Sequence, residues 1–324
     1  MTVACTLACT EYDWTAPLWD GRVQPEGIDL TTVNYPNPER FTRMVDRLEF
    51  DACELSMGTY LASRAADADY PITAIPVFPY RRFRHSFVYV REGAEIESPA
   101  DLNGGRIGLV NWQTTTGIWQ RGILAERHGL DLDGVEWVVA GSEIVPVDPP
   151  VDVTPLDARH GSALPLLEEE LERGALDALF VPVHPDTDAA VRLFDDPVDV
   201  ERAYARETGI FPIMHAIALR EAFVEEHPWA VQSLYDAFET AKARAMRTLE
   251  DPRTLPLAWV RPLVDRQRSV LGDDPWEYGL GDRNRTTLER LLGYAVDQGV
   301  AAPEATVESL FATDHLNPPW FGAT

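Results

Sequence analysis

Apolar positions recur along this chain in two alternating rhythms. Short runs at Thr2 to Ala8, Ile28 to Val33 and Phe50 to Leu55 are rich in apolar and β-branched residues and read as strands. Between the second and third, Asn37-Pro38 predicts an N-cap with proline at the first helical position, and Phe41, Met44, Val45 and Leu48 then fall on one helix face. Further strands are expected at Ile72 to Phe78, Ser86 to Val90, Arg106 to Val110, Val135 to Val139, Ala178 to Val183 and Phe211 to Leu219. Ser98-Pro99-Ala100-Asp101 has the form of a capping box and opens a new unit. Helices are expected over Ile118 to His128, around Leu164, Leu167 and Leu171 up to Gly174, and along Leu234, Phe238, Ala241 and Ala245. The Pro- and Asp-rich stretch Val145 to Thr154 reads as a loop, and the chain from Leu255 onward as helical and irregular.

Alternation of strands and helices predicts an α/β fold with largely parallel strands. A unit spanning about residues 91–204 interrupts an outer unit made of 1–90 and 205–324, which gives two α/β lobes joined by two chain crossings. An interlobe cleft follows, and it is expected to close on its ligand. In such sheets ligands collect at the carboxyl ends of strands and at helix N-termini.

Charge narrows the partners. The 324 residues carry 28 Lys and Arg against 53 Asp and Glu, a net charge of −25, which argues against nucleic acid and anionic membranes as partners, since both need basic patches. No run approaches the ~18 apolar residues of a membrane-spanning helix. The opening MTVACTLACTEYDW lacks a basic stretch before its apolar one, so a cytoplasmic location is expected. Lys242 is the only lysine. A diffuse acidic excess with arginine as nearly the sole cation suits a high-salt interior, where self-repulsion is screened within about 3 Å at 1 M salt. Cys5, Cys9 and Cys53 form neither a disulfide framework nor a zinc pattern and are expected as core thiols.

Against that acidic background, Phe78-Pro79-Tyr80-Arg81-Arg82-Phe83-Arg84-His85-Ser86 stands out. Arg81, Arg82 and Arg84 supply guanidinium forks that match carboxylates, and His85 adds a group able to move a proton near neutral pH, so the segment reads as an anion clamp; a solvated basic loop is the alternative. Asn111 to Thr116 lies between a strand and a helix. There, backbone N–H groups and the hydroxyls of Thr114, Thr115 and Thr116 face an anion or simply cap the helix, and Trp112 is placed to stack on an aromatic ligand. Glu54 and Ser56 end a strand at the expected cleft edge, with Glu54 either a proton carrier or an ion-pair partner of the arginines. His184 follows the strand ending at Val183, and His215 sits inside an apolar run that also suits a core histidine. No phosphate loop, nucleophile elbow, metal-binding motif or cofactor lysine is present, so no cofactor and no metal are expected.

Several of these segments resemble the 4,5-dihydroxyphthalate decarboxylase family, a branch of the type II periplasmic-binding-protein-like superfamily. They are Glu54-Leu55-Ser56-Met57, Ile75 to Pro79 through Phe83-Arg84-His85-Ser86, Trp119 to Leu124, Thr208 to His215, and Asp274-Pro275-Trp276-Glu277-Tyr278-Gly279. Asp101-Leu102-Asn103-Gly104 is shared more widely among solute-binding relatives, and the doubled Arg81-Arg82 departs from the family's single arginine. The resemblance implies two α/β lobes and a decarboxylase acting on a small hydroxylated aromatic carboxylate. On that reading Arg82 and Arg84 anchor the carboxylate, Glu54 holds the catechol hydroxyls, and His85 or His215 supplies the proton, with His85 preferred because it follows the arginines directly. A non-catalytic binding protein for an organic anion, or a precursor-forming enzyme on the same scaffold, are the alternatives.

Overall fold

A computed structural model of the chain describes residues 2–317 apart from 67, 157–162, 252 and 254. Its strands and helices gather into two sheets. The first has the order β2-β1-β3-β11-β4, built from β1 (Val3–Ala8), β2 (Ile28–Val33), β3 (Ala52–Ser56), β4 (Ile72–Arg81) and β11 (Ile213–Arg220). Strands β1, β2 and β3 run parallel, and β11 is inserted antiparallel between β3 and β4. The second has the order β10-β5-β9-β6-β7-β8, from β5 (Val88–Arg91), β6 (Arg106–Leu109), β7 (Glu136–Val139), β8 (Val153–Pro155), β9 (Ala178–Phe180) and β10 (Ala190–Arg192). All strands of the second sheet therefore fall inside the chain gap of the first, which is the two-lobed arrangement.

Local sequence explains most of the departures from expectation. Strand β4 carries Pro76 and Pro79 and runs on to Arg81, because it is an edge strand on which a missing N–H breaks no ladder. For the same reason β8 forms within the stretch expected as a loop, its Val153 pairing with Trp137 on the sheet edge and Pro155 with Val139. Helix α2 (Glu39–Arg47) starts one residue later than expected: Pro38, not Asn37, is its N-cap and makes no side-chain capping bond. The Ser98 box caps a single 3-10 turn (Pro99–Leu102), with the Asp101 carboxylate accepting from both the N–H and the hydroxyl of Ser98. The predicted strand from Ser86 begins instead as a 3-10 turn (His85–Phe87).

Three helices tie the lobes together. They are α3 (Met57–Ala65), α4 (Thr115–His128) and α10 (Asp282–Asp297), packed on one another and on β11. The tightest approach is at Gly58, where an added Cβ would lie 1.9 Å from the Gln113 carbonyl and 2.8 Å-class hydrogen bonding from the Gly58 N–H to Thr115 Oγ1 already closes the gap. At Gly122, likewise, the Tyr294 ring occupies the space a side chain would need. Cys5, Cys9 and Cys53 are all buried free thiols, as their spacing predicts.

Candidate functional site

Strand β3 is buried at every residue, which leaves Glu54 with 0% exposure and forces its carboxylate to find partners. It finds five. Oε1 accepts from the Tyr12 hydroxyl at 2.6 Å and lies 2.5 Å from His215 Nδ1; Oε2 accepts from the Thr10 N–H at 2.8 Å, from Arg40 Nη2 at 2.9 Å and weakly from the Cys9 thiol at 3.6 Å. Burial by itself would raise this carboxyl, but the hydrogen bond from His215 and the charge of Arg40 outweigh it and hold Glu54 ionised, far below the usual carboxylate range. His215 then keeps a proton on Nδ1 facing Glu54. Burial lowers the imidazole from its ordinary value, and the Glu54 hydrogen bond only partly opposes that.

His215 sits on β11 opposite Ser56 of β3 and Tyr80 of β4, and the β11–β4 pairing shifts register on both sides of it. Such irregularities re-aim side chains next to functional sites. The imidazole packs against the rings of Tyr80 at 4.9 Å and Phe41 at 5.3 Å. It keeps 8% exposure, and its Nε2 makes no hydrogen bond among the described residues.

The arginine segment separates into three fates. Arg81 points away, into three oxygen acceptors: the carbonyls of Phe211 and Glu277 and the side chain of Asn284. It fastens β4 to the C-terminal segment and is no part of a clamp. Arg82 is exposed, its guanidinium over the Phe87 ring at 5.3 Å. Arg84 is 2% exposed, yet its partners are a thioether, Met214 Sδ at 3.3 Å, and the Pro182 carbonyl at 3.4 Å. Among the described residues no carboxylate lies within ion-pair distance of it, and burial lowers its guanidinium to about 10. Arg84 also lies over the Tyr80 ring, at 5.8 Å, on the His215 side of the sheet.

The structure does not bring His85 to this group. Its ring is enclosed by His128, Phe194 and Tyr204, both ring nitrogens are buried without a partner, and burial pushes it down to about 3. It is a neutral core residue between α4 and α6 (Pro197–Thr208).

From the second lobe, Thr115 reaches the first: its Oγ1 is 2.8 Å from Ser56 Oγ and accepts from the Gly58 N–H. Thr114 caps α4 by accepting from the Gly117 N–H, and Thr116 is buried in the helix. Two of the N–H groups expected to face an anion are already taken, since Trp112 N and Gln113 N donate to the Glu143 carboxylate at 2.5 and 3.0 Å. Trp112 does not stack on the cleft; it is 2% exposed, bonded to the Gln298 carbonyl and covered by Arg121 at 3.8 Å. His184 is exposed and stacked on Tyr89 at 5.4 Å.

Sequence reasoning passed over Thr10, Tyr12 and Arg40. Arg40 carried a signal: one turn before Met44 on an otherwise apolar helix face, an arginine must be paired inside the core. Tyr12 and Trp14 follow the carboxyl end of β1, the edge at which such sheets gather ligands. Half-buried Tyr12, Trp14 and Tyr80 lie within 4° of parallel in the pairs Tyr12–Trp14 and Tyr12–Tyr80, and Trp276 joins Trp14 at 4.4 Å. Among the described residues no three His, Cys, Asp or Glu side chains are placed to hold a metal ion.

A protein from Comamonas testosteroni named 4,5-dihydroxyphthalate decarboxylase is 33% identical over 319 residues, covering 94% of this chain and 95% of its own. One of the same name from Pseudomonas putida is 37% identical over 186 residues, 56% of this chain and 70% of its own. The family described as NMT1/THI5 like matches residues 24–156. Among solved structures, a periplasmic sulfonate-binding protein from Methylobacillus flagellatus aligns over 98% of this chain and 92% of its own, with TM-score 0.55 and 14% identity. The desulfurization enzyme DSZB in complex with biphenyl-2-sulfinic acid aligns over 98% of both chains, with TM-score 0.53 and 17% identity. At such identities these structures establish the two-lobed periplasmic-binding-protein-like fold and nothing finer.

Proposed function

Because the chain belongs to the 4,5-dihydroxyphthalate decarboxylase family, we propose that it releases one carboxylate of 4,5-dihydroxyphthalate as carbon dioxide and leaves 3,4-dihydroxybenzoate. The observation that supports this reading is the pairing of an oriented histidine with a buried cation that lacks an acid: His215 held by Glu54, and Arg84 beside it.

The ring hydroxyl para to the departing carboxylate pushes electrons toward the carbon that bears it. That carbon takes a proton, the bond to the carboxylate breaks, its electron pair restores the aromatic ring, and the para oxygen recovers its proton. One proton is consumed for each carbon dioxide released. His215 Nε2 is the donor, since Nδ1 is committed to Glu54. Glu54 has every acceptor position filled and no exposure, so it does not hold the catechol hydroxyls; it fixes the tautomer and orientation of His215, as the carboxylate of a hydrolytic triad does. Arg40 and the Thr10 N–H keep Glu54 ionised in that task. Arg84 takes the carboxylate that stays on the ring, exchanging a thioether and a long carbonyl contact for a charge-assisted pair.

At rest His215 is neutral on Nε2. A dianionic substrate beside it favours the imidazolium, so the acid forms when the substrate arrives. A non-catalytic binding protein on the same scaffold would be stabilised by 4,5-dihydroxyphthalate and return it intact. Incubation with excess 4,5-dihydroxyphthalate is expected to yield carbon dioxide and 3,4-dihydroxybenzoate in equal amounts over many turnovers; a thermal shift without either product would overturn the decarboxylase reading.

A further inference from the structure

We propose that Glu201 sets the aim of the buried cation: by holding Ser86 from α6 it fixes the turn that carries Arg84, and so places the guanidinium where a ligand carboxylate takes it. The proposal rests on the reading of Arg84 as the carboxylate anchor, and it assigns Glu201 and Ser86 as positioning residues for that anchor.

Arg84 stands on the first of two chain crossings, residues 82–87, which lead from β4 of one sheet to β5 of the other. The second crossing, residues 193–212, returns from β10 to β11 and contains α6. The two are fastened side by side. The Arg82 N–H donates to the Pro212 carbonyl at 3.0 Å, the rings of Phe83 and Phe211 lie 4.9 Å apart, and the His85 ring packs on Tyr204 of α6 at 5.3 Å. Ser86 has every hydrogen-bonding group engaged. Its N–H donates to Glu201 Oε1 at 2.9 Å, its hydroxyl donates to the same oxygen, and its carbonyl accepts from Arg192 Nε at 3.2 Å. The Phe87 N–H closes the turn on the Arg84 carbonyl at 3.2 Å, so Glu201 grips the very turn from which the guanidinium hangs.

Two features tie this grip to the anchor. Glu201 is half-buried, and burial raises its carboxyl while the bonds from Ser86 work against that, so an acid is kept here at a cost in hydration. It stands outside ion-pair distance of Arg84. Burial lowers the guanidinium and the Glu201 charge opposes that, without occupying the donors a ligand needs. The second feature is the looseness of Arg84 itself. Its hydrogen bonds are long and come from both sides of the junction, Met214 Sδ on β11 at 3.3 Å and the carbonyl of Pro182, two residues past β9, at 3.4 Å. Contacts that weak do not fix a guanidinium, so the backbone turn does, and an anchor displaced by about 1 Å loses up to ~10²-fold.

Calorimetric titration with phthalate, which has the two adjacent carboxylates and lacks the ring hydroxyls that drive decarboxylation, reads the anchor apart from turnover. Glu201→Ala should weaken phthalate about tenfold or more, Glu201→Gln, which keeps an oxygen acceptor for Ser86, should restore most of the affinity, and Ser86→Ala should fall between. In an Arg84→Gln background the two alanine substitutions should each change affinity by less than about twofold, because no guanidinium is left to aim. A merely structural role would carry the full loss into that background. Wild-type affinity in Glu201→Ala, equal losses in both backgrounds, or a wild type that binds no phthalate would overturn the proposal. Ser86→Ala removes a single hydroxyl and gives the same comparison if Glu201→Ala does not fold; unchanged affinity in it would overturn the proposal as well. A protein that shows the background-dependent loss but releases no carbon dioxide from 4,5-dihydroxyphthalate would keep Glu201 as a positioning residue and lose the decarboxylase reading; carbon dioxide release with equal losses in both backgrounds would do the reverse.

Discussion

A guanidinium enclosed by a thioether, a carbonyl and aromatic rings has exchanged its water for weak partners, and that costs stability until a ligand carboxylate arrives. Arg84→Met should therefore leave the ligand-free melting temperature unchanged or raised, while weakening 4,5-dihydroxyphthalate binding by about 2–5 kcal/mol. Melting curves with and without ligand check both halves; a lower melting temperature with binding intact would contradict the assignment. His85 shows the opposite case, a titratable group walled off from the chemistry. Its folded value of about 3 lies below the ordinary 6.5, so the unfolded chain takes up the proton first as pH falls. The stability it confers is complete above about pH 6.5 and is lost toward pH 3, at up to about 1.4 kcal/mol per pH unit. His85→Phe should flatten that acid-side decline in denaturant titrations and keep turnover; an unchanged decline, or loss of turnover, would count against a core role. The sequence showed that arginines and a histidine cluster at the end of β4 and just beyond it. It did not show which side chain turns inward, because that depends on where β4 ends and on partners from β11, more than a hundred residues away.

Elements were legible where their own residues decide them. Strand β2 matches its expected bounds, and β1, β3 and β11 match within two residues, because an apolar run flanked by turn residues needs little outside help. The three-residue strands β8 and β10 were missed, since each exists only through the neighbour that pairs with it, β7 and β5 respectively. The contact of α3 with α4 was equally hidden, and it makes a sharp demand on one residue. Gly58→Ala must push the Gln113 carbonyl out of the way and strain the Gly58–Thr115 bond, for a loss of about 1–3 kcal/mol. Denaturant midpoints measure it; a variant as stable as the wild type would mean that the lobes do not meet there as described.

At the scale of the whole molecule, pattern spoke to architecture. The net charge of −25 is the ground for expecting neither nucleic acid nor an anionic membrane as partner, and no described helix is long and apolar enough to cross a bilayer. Two sheets, one interrupting the other in the chain, followed from the order of strands. What pattern alone left open was the convergence of Thr10, Tyr12, Arg40, Glu54 and His215 from four separate stretches of the first lobe onto one carboxylate. That convergence carries the central claim, that a Glu54-held His215 protonates the ring carbon while Arg84 holds the substrate. Single-turnover carbon dioxide release from saturating 4,5-dihydroxyphthalate, compared between the wild type and His215→Asn, tests it most directly. The account predicts a loss of 10²-fold or more in the variant with substrate still bound; equal rates for the two proteins would contradict it.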